Sequence, residues 1–567
     1  MVSTLVYVLS PSLTSAYLFD VVAGQYRFVA RGAVPSLAHP RSTLVDDATA
    51  AALAIERATG RTLFVHGRPA IPETPDGSGI DAVLAVCHPD GALRVAVVGA
   101  TSELAYDSGP RAVNGAGQEV VHNLPLDRQD FRTRESVYEG VRKLRAAAPD
   151  VILLAGKPSE SSDDRIDVVA EALAAVDPPP DCRPPALLFA GENGQLAGVR
   201  RTVGDKLPLY GASPLRPAPV EENLEEAKAI LADLHCQTWC EQLPQFGRFA
   251  GWLKTRPVAR DVALARMFRF LSVVEGGAVW GLDLDRATVG IFLAEPSSFS
   301  SFRFRPASPP LAQAYKWLPI DRSYSAFEQS IVNALLRPNT VPAGTDEMLY
   351  EGALLRAMCR QVFEDPRRAI VEPPAAGKPL HLVGTGPCAA NVPNSAEAAL
   401  LLLDCAQPSA IGYLCWDALS LLAPIGALAS VEPQAAAELA LSEAWERVGF
   451  FISPGGTLRT GATGLQVDVQ YDDKSSLRLE VPAGSMDVLT IPRGERASLS
   501  IRLADRFDLG SYWGRKPRVD VEGVPMGVVV DARGRPISWP TEDLARQQAI
   551  ANWRRVVGCC EAEEVVL

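Results

Sequence analysis

Trp280-Gly281-Leu282-Asp283-Leu284-Asp285-Arg286-Ala287-Thr288-Val289-Gly290-Ile291-Phe292-Leu293-Ala294 is the stretch that decides the fold. Two short apolar runs, 279–284 and 289–294, flank a tight polar turn, which is the pattern of a β-hairpin with one carboxylate, Asp283, leaving its first strand. A turn whose backbone N–H groups must lie against an anion is built from glycine, because a Cβ would intervene. This turn carries Asp285 and Arg286 instead. The added carboxylate would repel an anion, and the bulky Arg286 is expected to fill the space, so the hairpin reads as kept for its fold.

A second hairpin opens the chain. Residues 2–9 and 16–22 are apolar, 25–30 alternate, and Gly24 marks the turn between the last two, which predicts a three-stranded antiparallel start followed by an amphipathic helix over 42–59. The connection Ser10-Pro11-Ser12-Leu13-Thr14-Ser15 takes the same place in the first hairpin as 285–288 does in the second. Two such hairpins about 270 residues apart suggest a duplicated, two-lobed fold.

Between the hairpins the pattern changes. Strands near 93–99, 119–122, 150–156, 186–191 and 207–211 alternate with helices near 102–114, 134–147, 163–175 and 193–203, which implies a parallel sheet with helices on its faces. The Gly-containing strand ends Ala155-Gly156-Lys157-Pro158-Ser159 and Ala190-Gly191-Glu192-Asn193-Gly194 sit where open α/β sheets bind ligands, although Gly there is more simply a tight strand-to-helix turn. Helices are expected over 221–235 and 258–274; the second, with Arg256 just before it, carries Arg260, Arg266 and Arg269 beside an apolar seam and reads as a buried stripe with a solvated basic face. An Arg-containing strand (300–305) and helices near 324–336 and 345–363 follow. Then His381-Leu382-Val383-Gly384-Thr385-Gly386-Pro387 runs as a buried strand into a Gly-rich turn able to seat an adenosine, before a helix (395–406), a strand (411–415) and a helix (417–429). From 448 the chain is all-β, with turn residues every 8–12 positions suggesting a small barrel or sandwich, and a helix over 542–557 ends in an acidic tail.

The bulk properties exclude several classes. A chain of 567 residues, 47% hydrophobic and 22% charged, has room for roughly three to four globular domains. A formal net charge of −12 argues against nucleic acid or an anionic membrane as the main partner. The ten cysteines lack a spaced framework and several lie in apolar runs, which suits reduced thiols in a cytoplasm. Met1 leads straight into a strand, so no secretory leader is expected, and the most apolar region, 398–431, is broken by Asp404, Gln407, Pro408 and Asp417, so no membrane span is expected either.

Hydrolytic constellations are missing: no Gly-x-Ser-x-Gly elbow, no His-Glu-x-x-His and no Walker loop. His235, Cys236 and Cys240 offer three metal ligands on one helix, but no further Cys or His cluster lies near in sequence, so a core thiol pair is the simpler reading and no metal is expected.

Taken together, the order of segments resembles the glutamate mutase L family, also called MutL or GlmL. The resemblance is carried by 16–22 with 26–32, Asp76-Gly77-Ser78-Gly79-Ile80-Asp81-Ala82, 149–156, the hairpin 281–294, Leu336-Arg337-Pro338-Asn339-Thr340-Val341-Pro342, 399–428 and, in the β-rich tail, 527–536. It implies an actin-like ATPase fold of two ribonuclease-H-like lobes, in which such hairpins hold nucleotide phosphates, and a reactivating or chaperone role beside a coenzyme-B12-dependent mutase. The expected architecture is α/β. A first lobe begins at 1–80, an inserted parallel, Rossmann-like domain spans 81–220, a helical connection 221–275, the second lobe 276–445, a C-terminal β domain 446–540, and a terminal helix and tail 541–567.

The departures from the family pattern fall at the loops. The first phosphate loop, Asp-x-Gly-Ser-Thr-x-Thr in the family, is Val8-Leu9-Ser10-Pro11-Ser12-Leu13-Thr14 here, which keeps only Ser12 and Thr14. The second keeps Asp283 and Thr288 but has Asp285 and Arg286 where the family has glycine or serine, and the family's Gly-x-Gly-Gly is Gly384-Thr385-Gly386-Pro387. Ser12, Thr14, Asp283, Thr288, Gly384 and Gly386 are therefore vestigial nucleotide-binding candidates, with Asp283 able to hold Mg²⁺ only through water. The expectation is a non-catalytic pseudo-ATPase acting as a protein-binding or assembly module, without cofactor, with a protein partner and compatible with a homo-oligomer. The alternatives are an ATP- and Mg²⁺-dependent reactivating chaperone for a B12-dependent mutase and an α/β metabolic enzyme using 81–217.

Overall fold

Thr4–Leu9 is apolar on both faces, so it becomes the middle of a sheet buried on both sides: Leu5, Tyr7 and Leu9 face the helix Leu44–Thr59, while Val6 faces the opposite layer. The computed structural model describes residues 2–36, 42–131, 133–157, 164–176, 183–364, 377–509, 513–514 and 516–559. Within them Thr4–Leu9 pairs antiparallel with Leu13–Val22, which pairs antiparallel with Gln25–Pro35. On its other side Thr4–Leu9 runs parallel to Ala82–Cys87, and that strand parallel to Val258–Ala259. Thr43 opens the intervening helix with a capping box to Asp46.

The second sheet repeats this plan. Val279–Leu284, Val289–Ala294 and Phe299–Phe304 form the antiparallel trio, and Leu380–Thr385 and Ala410–Trp416 add in parallel on the other side of the first strand. The strand order three-two-one-four-five with these senses is the ribonuclease-H-like arrangement, and its presence twice makes the chain a two-lobed, actin-like α/β protein. The helices Arg260–Glu275 and Leu422–Leu428 lie between the two sheets. Leu264, Met267 and Phe268 from the first and Leu422 and Ile425 from the second join Val6, Phe19 and Val86 of one lobe to Val279, Phe292 and Val383 of the other in one core.

The chain between Ala82–Cys87 and Val258–Ala259 holds the inserted domain. Its five strands, Arg94–Gly99, Glu119–Pro125, Val151–Ala155, Ala186–Ala190 and Leu209–Ala212, are all parallel, in the spatial order two-one-three-four-five. Of the Gly-containing loops, Pro158 and Ser159 lie outside the described residues, as do Cys182 and Cys560. A Cβ on Gly156 would stand 2.8 Å from Gln195 Oε1, and one on Gly191 2.5 Å from the Phe189 ring, so close packing accounts for both glycines.

Glu446–Ser453, Val528–Asp531 and Met486–Leu489 continue the second lobe's sheet beyond Ala410–Trp416. Thr463–Tyr471, Ser476–Pro482, Arg496–Leu503 and Arg518–Glu522 form a separate four-stranded sheet. Its alternate residues Leu465, Val467, Leu499 and Ile501 pack on Phe450, Ile452 and Val528, so the C-terminal strands make a sandwich with the edge of the lobe. The helix Asp543–Val557 closes the second lobe's outer face through Ile550, Trp553 and Val557. No helix among the described residues is long and apolar enough to cross a membrane.

Candidate functional site

The second hairpin turn and the Gly-Thr-Gly turn meet at the junction of the lobes, and most of the polar groups of the three turns are already engaged. In the first turn the Ser10 amide and hydroxyl both donate to Leu13 O, at 3.2 and 2.9 Å, and the Leu13 amide donates to Ser10 Oγ at 3.0 Å. Ser12 Oγ lies 3.2 Å from Ser10 Oγ, and the buried Thr14 Oγ1 lies 2.9 Å from Ser36 Oγ, which donates to Ser10 O at 2.8 Å. These hydroxyls hold the turn to its neighbouring strand rather than to an open cleft.

At the second turn Asp283 is fully buried. Arg260 Nε donates to its Oδ2 at 2.9 Å and Arg260 Nη2 to its Oδ1 at 2.7 Å, while Arg303 Nη2 donates to Oδ2 at 2.7 Å. Arg303 also pairs with Asp261, its Nε lying 3.0 Å from Oδ1. Burial alone would raise the Asp283 carboxyl, but the charges of Arg260 and Arg303 more than reverse this and hold it well below the usual carboxylate range. Burial would lower Arg303, and Asp261 and Asp283 reverse that in turn. In this ion quartet Asp283 and Arg303 are therefore held in their charged forms.

Arg286 does not fill this space, contrary to the expectation from its size. Its side chain turns into the second lobe, where Nε pairs with Glu351 on the helix Thr345–Phe363 and Nη1 lies 3.4 Å from Pro338 O. Asp285 instead caps its own turn, accepting from the Ala287 amide at 2.9 Å, and lies 3.9 Å from His88 Nε2 of the first lobe. Burial pushes the His88 ring well below its ordinary value, with Arg303 and Arg260 adding to the effect. Arg260 and Arg303 occupy the junction, and Arg260, 3% exposed, is no part of a solvated basic face. One signal for Arg303 was present in the sequence: Gly290 sits opposite it in the strand pair, and a Cβ there would stand 2.7 Å from Arg303 Nη2.

Gly384 and Gly386 differ in what they do. A Cβ on Gly384 would collide with the Trp416 ring at 2.3 Å, so Gly384 faces an indole inside the lobe. Gly386 has φ +112°, and a Cβ there would stand 2.5 Å from Leu284 O and 2.7 Å from Asp283 Oδ1, so it lies directly against the second hairpin. Below it Asp417 is fully buried and accepts from Leu421 N at 2.8 Å, Leu422 N at 3.0 Å and Thr385 Oγ1 at 2.7 Å. Burial pushes this carboxyl up to about 6, against the pull of those donors. Asp417 therefore begins a turn, not the helix expected from 417; the helix itself is Leu422–Leu428.

A cavity of about 30 Å³ lined by His88, Arg260, Thr288 and Arg303, among others, remains at the junction. That is room for about one water molecule, against about 300–1,000 Å³ for a small-molecule site. With both Asp283 oxygens taken by guanidinium N–H groups, these residues in this arrangement do not fit hydrated Mg²⁺ and a nucleotide triphosphate. Of the six residues singled out in the sequence, Asp283, Thr288 and Gly386 come together at the junction, Ser12 and Thr14 are tied into their own hairpin, and Gly384 is turned into the lobe.

A family model described as "MutL protein" matches residues 11–304, just over half of the chain. No curated protein matches. Among solved structures the chain is similar to an acetone carboxylase in a nucleotide-free structure, at 11% identity over 84% of this chain and 81% of that one, with a TM-score of 0.35. It is also similar to the ethanolamine utilization protein EutJ from Carboxydothermus hydrogenoformans, at 11% identity over 54% and 78% with a TM-score of 0.20. A chain of the PilM–PilN type IV pilus biogenesis complex matches at 12% identity over 77% and 97% with a TM-score of 0.23.

Proposed function

The chain belongs to the MutL (glutamate mutase L) family, and from that premise we propose that it is a non-catalytic member, a pseudo-ATPase whose two lobes serve as a protein-binding or assembly module. The observation that carries this reading is the state of Asp283. In an actin-like ATPase the carboxylate at this hairpin position must remain free to hold the water shell of Mg²⁺; here two buried arginines share it. Arg260 comes from the helix between the lobes and Arg303 from the third strand of the second lobe, so the ion quartet cements the junction where a nucleotide would open it.

A second reading, an ATP-dependent reactivating chaperone for a coenzyme-B12-dependent mutase, has one observation of its own: Thr288 Oγ1 and Arg303 Nη1 are buried and have no hydrogen-bond partner among the described residues. A phosphate oxygen would satisfy both if Arg303 turned from Asp283.

Calorimetric titration of the full chain with ATP and ADP in the presence of Mg²⁺, after removal of any bound nucleotide, separates the two. The module reading expects no heat and no nucleotide-dependent rise in melting temperature. Binding at micromolar affinity or tighter overturns it.

A further inference from the structure

Three thiols from two distant elements converge beside the lobe junction. Cys87 ends the strand Ala82–Cys87, and Cys236 and Cys240 lie one turn apart on the helix Glu225–Gln242. Their sulfur atoms all lie within 4.8 Å of one another, and all three residues are buried. Tertiary folding changes the ligand set that the helix alone offered. His235 leaves it, with Nδ1 3.2 Å from Gln118 Nε2 and Nε2 3.2 Å from Asp90 O. Cys87, 149 residues before Cys236, takes its place.

Thiols buried only as small hydrophobes have no need to meet at one point or to meet a channel. Here a cavity of about 840 Å³ reaches Cys236 and Cys240, and its walls carry the cations Lys254, Arg256 and Arg266 against the carboxylates Asp233 and Glu241. It offers both an entry path and room for a water beside the sulfurs. Cys240 is pulled down to about 5 by hydrogen bonds from Cys236 and Cys87, whereas burial pushes Cys87 up and the bond to Cys240 pushes Cys236 up.

We propose that Cys87, Cys236 and Cys240 form a three-thiolate site for Zn²⁺ whose fourth position opens on this cavity. Zinc takes thiolates at about 2.3 Å in a tetrahedron, which sets the sulfurs about 3.8 Å apart, a spacing within reach of small side-chain rotations from the observed cluster. Three thiolates and one Zn²⁺ leave a single negative charge, which the cationic cavity wall offsets. Binding releases to solvent whatever protons the three thiols carry and forms three Zn–S bonds with no change of oxidation state. The ion would brace the junction as well: His88, next to Cys87, faces Asp285 of the second hairpin, and Cys236 Sγ lies 3.9 Å from Pro257 O, three residues before Arg260.

The test uses the full chain, stripped of metal under reducing conditions and titrated with Zn²⁺ against a chromophoric chelator. One tight equivalent is expected, with affinity rising with pH as the thiols give up their protons. X-ray absorption of the zinc-loaded, unaltered chain should count three sulfurs at about 2.3 Å and one light atom. Cys87→Ser and Cys240→Ser should each weaken binding at least on the order of 100-fold, and Cys405→Ser should leave it unchanged. Absence of a tight equivalent, a sulfur count of one or none, or unchanged affinity in both variants overturns the site. The sulfur count is read on the unaltered chain, so it decides even where a variant fails to fold.

Discussion

Arg260 grips Asp283 through two parallel hydrogen bonds, Nε to Oδ2 at 2.9 Å and Nη2 to Oδ1 at 2.7 Å, with both side chains buried between the lobes. A planar fork matched to a carboxylate is the strongest geometry such a pair can take. It also spends the one side chain that Mg²⁺ would need, which links the stability of the junction to the proposed loss of nucleotide chemistry.

Asp283→Ala leaves the buried Arg260 guanidinium without its carboxylate and Arg303 with Asp261 alone. A loss of about 3–5 kcal/mol is expected in urea denaturation, because breaking a buried ion pair strands its partners. Arg260→Met with Asp283→Leu should cost less than the two single changes added together, since neither then leaves the other unpaired.

Nucleotide binding is expected to respond to Arg303 and not to Arg286. Asp285→Gly with Arg286→Gly should give no heat with Mg²⁺-ATP, and should lower stability by about 3 kcal/mol or more because Glu351 is left buried beside Cys388. Arg260→Ala with Arg303→Ala frees Asp283, so it is the pair in which calorimetry should find any nucleotide site that survives.

Gly386→Ala should be costly for two separate reasons. Its φ of +112° suits glycine alone, and the new methyl would stand 2.5 Å from Leu284 O. A loss on the order of 2–4 kcal/mol in chemical denaturation is expected, against little effect for Gly494→Ala in an open turn beyond its own positive φ.

The pH dependence of stability carries the mark of Asp417. Its folded value of about 6 lies above the ordinary carboxylate value, so its favourable contribution is full below about pH 4 and is lost as pH rises through 6. Asp283 and Asp531 are held below the ordinary value, so their contributions are present above about pH 4 and fall away only in stronger acid. Between pH 4 and 6, Asp417→Asn should flatten the decline in stability with rising pH by on the order of 2–3 kcal/mol, read as the difference in slope between the two chains. Identical slopes would show that Asp417 does not titrate in that window.

The lobes were legible because strand periodicity and turn residues are local. The runs 279–284 and 289–294 appear as Val279–Leu284 and Val289–Ala294, and the hairpin near the start pairs as its alternation required. The Asp417 turn was less so. Asp417 precedes an apolar run that has helical composition, yet its carboxylate binds the Leu421 and Leu422 amides and delays the helix to Leu422.

By itself the sequence determined the duplicated hairpins, the parallel inserted domain, the family and the absence of glycine from both hairpin turns, since each is written in neighbouring residues. Only the tertiary structure decided which side chains occupy the junction. Arg286, within the turn itself, points away to Glu351, while Arg260 and Arg303, each about 20 residues from Asp283 in opposite directions along the chain, close on it. Cys87 likewise reaches Cys236 and Cys240 only through the pairing of strands and the helix laid across them. Charge pairing and thiol convergence depend on distance in space, and a buried carboxylate takes whichever cations the fold delivers, because leaving it unpaired costs more than any local preference can offset.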